Sequence, residues 1–207
     1  IHTHLAETLD EEKFCIKRFG MRPVEYMESL GWLDPLSWFA HCVHLLPEEI
    51  KNMGETRCGV SHCPSSNMRL GSGIAPIREM LNEGVRVSLG VDGSASNDSS
   101  NMLLEMRNAM LLSRLRAQEQ WLTAREVLRL ATRGGAEVLG REDIGQIVSG
   151  KQADLALFRI DGVDYAGSQA DPMAALVFCT RTQPVDYLII KGKILINEGK
   201  PEFDEHA

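Results

Sequence analysis

The feature of this 207-residue chain that most restricts its fold is an alternation, repeated four times, of a short apolar run with a longer amphipathic one. The short runs are IHTHLA, SWFAHCV, CGVSHCP and VRVSLGVDG. Their length and their apolar, β-branched and aromatic content suit strands rather than helices. In DEEKFCIKRFG, Phe14, Cys15, Ile16 and Phe19 recur near helical spacing, with Gly20 as the stop. RPVEYMESLGWL follows, with Pro23 at its start and Gly31 past its end. LPEEIKNMGE and GIAPIREMLNEG continue the series, a long helix is expected over 101–116, and two short helical segments surround Gly134 and Gly135. Strands separated by helices pair in parallel, because a parallel connection needs a crossover of about a dozen residues or more. The fold class is therefore α/β, and four such units make half of a (β/α)8 barrel, an architecture whose chemistry sits at the C-terminal strand ends.

The texture changes near residue 145. KQADLALFRID and PVDYLIIKGKILINEGK are apolar strand-like runs with turns at Gly192 and Gly199, and no amphipathic helix separates them convincingly. Two units are expected: 1–144 as the half-barrel, and 145–207 as the C-terminal part of a small β-sandwich, ending in a tail that includes His206. A 43% apolar composition is enough to bury a sizeable core. The net charge of -7, with no cluster of Lys and Arg, argues against nucleic acid as the main partner. No apolar run reaches membrane-spanning length, and the start does not have the pattern of a secretory leader. The five cysteines, odd in number and without a C-x-x-C pair, suit reduced thiols in the cytoplasm. The chain opens directly on a strand without an initiator Met, so it is expected to be a piece of something longer.

Polar residues fall at the four expected strand ends: His4 and Glu7, His41, His62, and Asp92. In HTHLAET, His2 and His4 form an H-x-H that suits two metal ligands on one strand. In the alternative, His4 alone binds metal and Glu7, three residues on, is its acid-base companion. A divalent ion makes a bound water acidic near neutral pH, and a nearby carboxylate can ferry the proton to a substrate. His41 and Asp92 at neighbouring strand ends can share in binding the ion and orienting its water. The H-E-x-x-H, P-C-x-x-C, G-x-S-x-G and P-loop signatures are absent.

Taken together, HLAET, AHCVHL, SHCPSSNMRLGSGIAPIREMLNEGV, SLGVDGSASNDSSNMLLEMRNAM and GKQADLALF resemble the amidohydrolase superfamily, in its branch of nucleobase and triazine deaminases and chlorohydrolases. The resemblance runs from residue 1 to about residue 200. It implies barrel strands five to eight, followed by part of the β-sandwich, with the first four strands and their H-x-H ligand pair supplied by the missing N-terminal half. HTHLAET then matches the fifth strand, which in this family carries one ligand. His4 and Asp92 are implied as metal ligands. Glu7, His41 and Asp92 are implied as catalytic: Glu7 protonates the ring nitrogen, His41 orients the water, and Asp92 accepts its proton. His2 points elsewhere.

The implied cofactor is one divalent metal, zinc by family, with iron and manganese compatible with the same donors. The implied reaction is hydrolytic deamination of an aminopurine ring of the 8-oxoguanine type, by attack of metal-bound hydroxide and loss of ammonia. A triazine or another nucleobase is the alternative substrate, and substrate-binding residues are left open. A homo-oligomer is expected, with no nucleic acid and no membrane as partners. A reading from another class is a non-catalytic fragment, because only two of the expected ligands are present; its open sheet edge predicts insolubility or self-association when made alone.

Other residues carry weaker expectations. His44 is read as structural. His62 suits either the site's surroundings or hydrogen-bonded packing. Cys42 and Cys63 are read as small buried apolar residues rather than nucleophiles. Ser94, Ser96, Asn97 and Asp98 form a polar loop on the active face, where one or two contact substrate, or where residues 98–101 cap the next helix. The glutamates and arginines of 105–116 are read as the solvated face of that helix, with a dimer contact as the alternative.

Overall fold

The structure, a computed structural model, describes residues 1–116, 119–179 and 184–203, so the tail with His206 lies outside the described residues. The four apolar runs form β1 (His2–Leu5), β2 (Trp38–His41), β3 (Gly59–His62) and β4 (Arg86–Leu89), paired in parallel in that order. The register aligns His4, Ala40, Ser61 and Ser88 in one row. Phe39, Val60 and Val87 share the adjacent row, and because strand side chains alternate in direction they face the other side of the sheet. There they join one apolar cluster with Met53, Met80, Met106 and Met110 of the surrounding helices. Each such buried side chain contributes about 1.5–3 kcal/mol.

Helix α1 (Leu9–Phe19) begins where Thr8 Oγ1 accepts the Glu11 N–H, and ends at Gly20, whose φ of 70° is left-handed. Helices α2 (Pro23–Ser29) and α3 (Pro47–Glu55) each start on proline, which tolerates the first turn because its missing N–H would be unpaired there anyway. The stretch after β3 departs from expectation. A separate α4 (Pro64–Leu70) forms first, and the expected helix over GIAPIREMLNEG shrinks to α5 (Ile77–Asn82). Pro64 starts the extra helix directly behind the strand, and Pro76 delays the second.

Helix α6 (Met102–Arg116) starts at Asn101, whose Oδ1 accepts the Leu103 and Leu104 N–H groups. Then α7 (Ala124–Arg129) runs through a π turn, Leu130–Gly134, into α8 (Gly135–Val138). A side chain at Gly134 would place its Cβ 2.3 Å from the Val87 carbonyl oxygen, so only glycine lets this helix lie against β4.

Beyond residue 145, β5 (Leu155–Leu157), β6 (Tyr187–Ile190), β7 (Lys193–Asn197) and β8 (Lys200–Pro201) make a separate antiparallel sheet in sequence order. Between β5 and β6 a helix does form, contrary to the sequence expectation: α9 (Pro172–Phe178), capped by Asp171. It packs on α6 and α7, and its Val177 enters the main core. PMAALVF is apolar throughout, so it carries no amphipathic period to read. No helix among the described residues is long and apolar enough to cross a membrane.

Candidate active site

The C-terminal ends of β1, β2 and β4 converge on one polar cluster, and the backbone there is strained. Ala6, His41, Cys42 and Asp92 all have left-handed φ, at 49°, 70°, 51° and 61°. That conformation costs about 1–2 kcal/mol for each residue carrying a Cβ, and such strain concentrates at functional sites. Hydrogen bonds hold the distortion in place. The Cys42 N–H donates to the Leu5 carbonyl, and the Val43 and His44 N–H groups both donate to Ala6. The Glu11 carboxylate accepts from the Ala6 and Glu7 N–H groups, each at 2.8 Å, and so fixes the turn that carries Glu7.

Within the cluster, His4 Nε2 lies 3.6 Å from Asp92 Oδ1. His41 Nε2 lies 3.7 Å from Glu7 Oε2 and 3.8 Å from Asp92 Oδ2. One donor atom from each of His4, His41 and Asp92 falls within 4.8 Å of the other two. Two ligands each about 2.1 Å from a tetrahedral ion sit about 3.4 Å apart, close to the observed His4–Asp92 separation. The donor set of imidazole nitrogen and carboxylate oxygen suits zinc, iron or manganese. His41 Nε2 is buried with no hydrogen-bond partner among the described residues, although the ring is wholly enclosed. A buried polar atom left open toward carboxylates fits a site built to receive something.

The environment of Asp92 favours its charged form. Burial opposes ionisation, but hydrogen bonds from Ser66 Oγ, the Gly93 N–H and Ser96 Oγ, with His41 alongside, outweigh it and hold the carboxyl down at about 2. The two hydroxyls reach Oδ2 at 2.5 and 2.9 Å, leaving Oδ1 toward His4. On the far side of His41, Nδ1 lies 2.8 Å from Asn67 Oδ1.

His4, Glu7, His41 and Asp92 are thus brought together, and His2 is not. Its ring stacks on Trp38 with centroids 3.6 Å apart, outside the group of candidate ligands. His44 is tied to the Ser72 carbonyl at 2.8 Å, which is a structural contact. His62 is packed in the interior, but its Nδ1 lacks the hydrogen bond expected of it among the described residues. It is buried, lines a small cavity with Ile77, Ala109 and Leu112, and is held neutral because burial pushes its pKa down to about 3. Burial likewise pushes the Cys63 thiol up to about 12 and Cys42 well above its ordinary value, consistent with apolar packing.

Ser96, Asn97 and Asp98 of the polar loop make contacts within the chain, and Ser94 is exposed. Ser96 bonds Asp92, and Asn97 Nδ2 donates to the Val91 carbonyl and to Glu105 Oε1. Asp98 pairs with Arg69. The solvated-face expectation for the helix fails at Glu105, which is fully buried and also accepts the Ser65 N–H through Oε2. These two donors, one from the first turn of α4 and one from the loop before α6, hold the carboxylate inward. Sequence reasoning missed Glu11, Ser66 and Asn67. For Glu11 a signal existed, since Thr8-x-x-Glu11 is a capping-box spacing. Ser66 and Asn67 had none, because they sit on the unforeseen α4.

Comparison with known proteins gives the family. An 8-oxoguanine deaminase from Pseudomonas aeruginosa is 52% identical over 202 residues, covering 98% of this chain and 44% of that protein. The crystal structure of atrazine chlorohydrolase from Arthrobacter aurescens complexed with zinc superposes with a TM-score of 0.93 at 37% identity, over 99% of this chain and 46% of the other. An adenosine deaminase from Xanthomonas campestris with bound zinc gives 0.95 at 31% identity, over 99% and 47%. The chain therefore spans under half the length of the relatives it matches. The family model described as "Amidohydrolase family" matches residues 1–195, and the chain belongs to that family.

Proposed function

We propose that this chain is the metal-binding C-terminal part of a hydrolytic deaminase acting on an aminopurine ring of the 8-oxoguanine type. The observation that carries the reading is the convergence of Glu7 and Asp92 on His41, with His4 beside Asp92, on a chain 52% identical to an 8-oxoguanine deaminase. In this reading β1–β4 are the last four strands of a (β/α)8 barrel, and the N-terminal half of the protein completes both the barrel and the ligand set. Residues 1–144 form the barrel part and 145–207 the sandwich part, with α9 reaching back onto α6 and α7.

His4 Nε2 and Asp92 Oδ1 would hold the divalent ion, most simply zinc, the ion named in the chlorohydrolase and adenosine deaminase structures. The ion, when bound, supplies Lewis acidity and a water acidified toward neutral pH. Asp92 takes a proton from the attacking water. His41 Nε2 orients that water and then hydrogen-bonds the oxygen of the tetrahedral adduct. Glu7 Oε2 delivers a proton to the ring nitrogen beside the attacked carbon, so no full negative charge builds on the ring. Asp92 then passes the proton it took from the water to the departing amine while the adduct hydroxyl returns one to Glu7, and collapse releases ammonia. A homo-oligomer and the reducing cytoplasm belong to the same reading, the latter supported by five free thiols.

The test uses the full-length protein: metal content by mass spectrometry, then ammonia release from 8-oxoguanine, guanine, cytosine and a hydroxytriazine. Turnover of 8-oxoguanine that falls about 10²–10⁴-fold in Glu7→Gln, with metal retained, supports the assignment. No ammonia from any of the four sinks it. Preference for the triazine favours the second reading, to which the 37% identity with a chlorohydrolase points.

A further inference from the structure

We propose that Asn67 is a positioning residue for the reaction, whose Oδ1 keeps a proton on His41 Nδ1 and thereby pins the imidazole with Nε2 facing Glu7 and Asp92. The inference rests on the proposed function for its kinetic meaning, but its structural core stands on one contact: Nδ1 to Oδ1 at 2.8 Å, between two side chains with no solvent exposure. An imidazole has two nitrogens, and the hydrogen bond made by one decides what the other presents. An amide oxygen only accepts, so Nδ1 must donate to it. The ring plane is then fixed, and Nε2 is directed at the two carboxylates 3.7 and 3.8 Å away.

Rotation of the ring about its Cβ–Cγ bond would exchange nitrogen for carbon on the site side and leave Nδ1 and the amide oxygen without each other. Burial makes that loss costly, because each orphaned polar group forfeits its hydration with no replacement. The remaining functionality of the amide reinforces the assignment. Asn67 Nδ2 is buried with no hydrogen-bond partner among the described residues. An apolar side chain of similar size would avoid that orphan, so the amide is not there for packing.

The backbone of Asn67 is anchored at both ends, its N–H on the Cys63 carbonyl and its C=O under the Ser72 N–H, at 3.0 and 2.9 Å. The preceding residue, Ser66, holds Asp92 Oδ2. Consecutive residues of α4 thus brace two of the groups that face the reacting centre, one from β2 and one from beyond β4.

The experiment compares wild-type, Asn67→Leu and Asn67→Asp full-length proteins with ¹⁵N-labelled histidine at one fixed pH. Two-dimensional spectra report whether His41 Nδ1 carries a proton, and steady-state kinetics with 8-oxoguanine follow. Nδ1 is expected to be protonated in the wild type and in Asn67→Asp, whose carboxylate still accepts, and to lose that fixed proton in Asn67→Leu. The Leu variant should lose about 10–100-fold in kcat with KM within about twofold, while Asn67→Asp keeps most of the rate. An unprotonated Nδ1 in the wild type, equal losses in both variants, or a Leu variant with wild-type kcat overturns the proposal. If Asn67→Leu fails to fold, the other two spectra decide alone. A wild-type protein that releases no ammonia refutes the proposed function, while the Nδ1 measurement, which needs no substrate, still decides the role of Asn67.

Discussion

His62 makes the protein acid-labile by an amount that its burial sets. The ring is enclosed beside Ile77, Ala109 and Leu112, and Nδ1 has no hydrogen-bond partner among the described residues. Burial, with a smaller contribution from His41, pushes its pKa from 6.5 to about 3. In the unfolded chain the ring titrates near 6.5. As pH falls through 6.5, the unfolded state therefore binds a proton that the folded state refuses, and stability drops by about 1.4 kcal/mol per pH unit until about pH 3. Integrated, the loss between pH 7 and pH 5 is about 2 kcal/mol, and by pH 4 about 3 kcal/mol.

The perturbation is His62→Phe, which keeps a flat ring and removes the titration. Urea unfolding of full-length wild type and variant at pH 7, 6, 5 and 4 gives the difference in stability, in which titrating groups that do not interact with His62 cancel and only the smaller coupling to His41 remains. The variant should gain on the wild type by about 2 kcal/mol between pH 7 and 5. A difference that stays constant with pH refutes the reasoning, because it would mean His62 takes up its proton in the folded state at an ordinary pKa.

Three further predictions test the supports of the site and the core. Ser66→Ala removes the shorter of two hydroxyl bonds to Asp92 Oδ2, so metal affinity measured by chelator competition should fall about 10–100-fold, and an unchanged affinity counts against Asp92 as a ligand. Glu105→Leu strips the acceptor from the Ser65 N–H and from one Asn97 Nδ2 bond, and should cost about 3 kcal/mol of unfolding free energy measured by denaturant titration. A variant as stable as wild type would show that these donors find other partners. Gly134→Ala drives a Cβ against the Val87 carbonyl and should cost about 3 kcal/mol, with soluble yield and thermal unfolding as the readouts; a neutral result would mean the π turn slides away from β4 without penalty.

The parallel arrangement of β1–β4 was legible in the chain because local periodicity and connection length are properties of consecutive residues. Apolar runs of a few residues, each followed by helix, leave parallel pairing as the economical solution, and the order of His4, Glu7, His41 and Asp92 at the strand ends follows from that alone. Choosing between the two readings of HTHLAET was not local. The residue pattern allowed His2 and His4 equally; the family resemblance chose His4, and the structure placed His2 against Trp38 and His4 beside Asp92. Left-handed backbone at Ala6, His41 and Asp92 accompanies that outcome, braced at Ala6 and His41 by hydrogen bonds between the ends of β1 and β2 and at Asp92 by the Ser66 and Ser96 hydroxyls. Glu105 was misjudged for the same reason. A glutamate at helical spacing reads as solvated until the start of α4 and the loop just before α6 supply donors that make burial tolerable. Ser66 and Asn67 belong to a helix too short and too polar to announce itself, so their grip on Asp92 and His41 exists only once β2, β3 and β4 stand side by side.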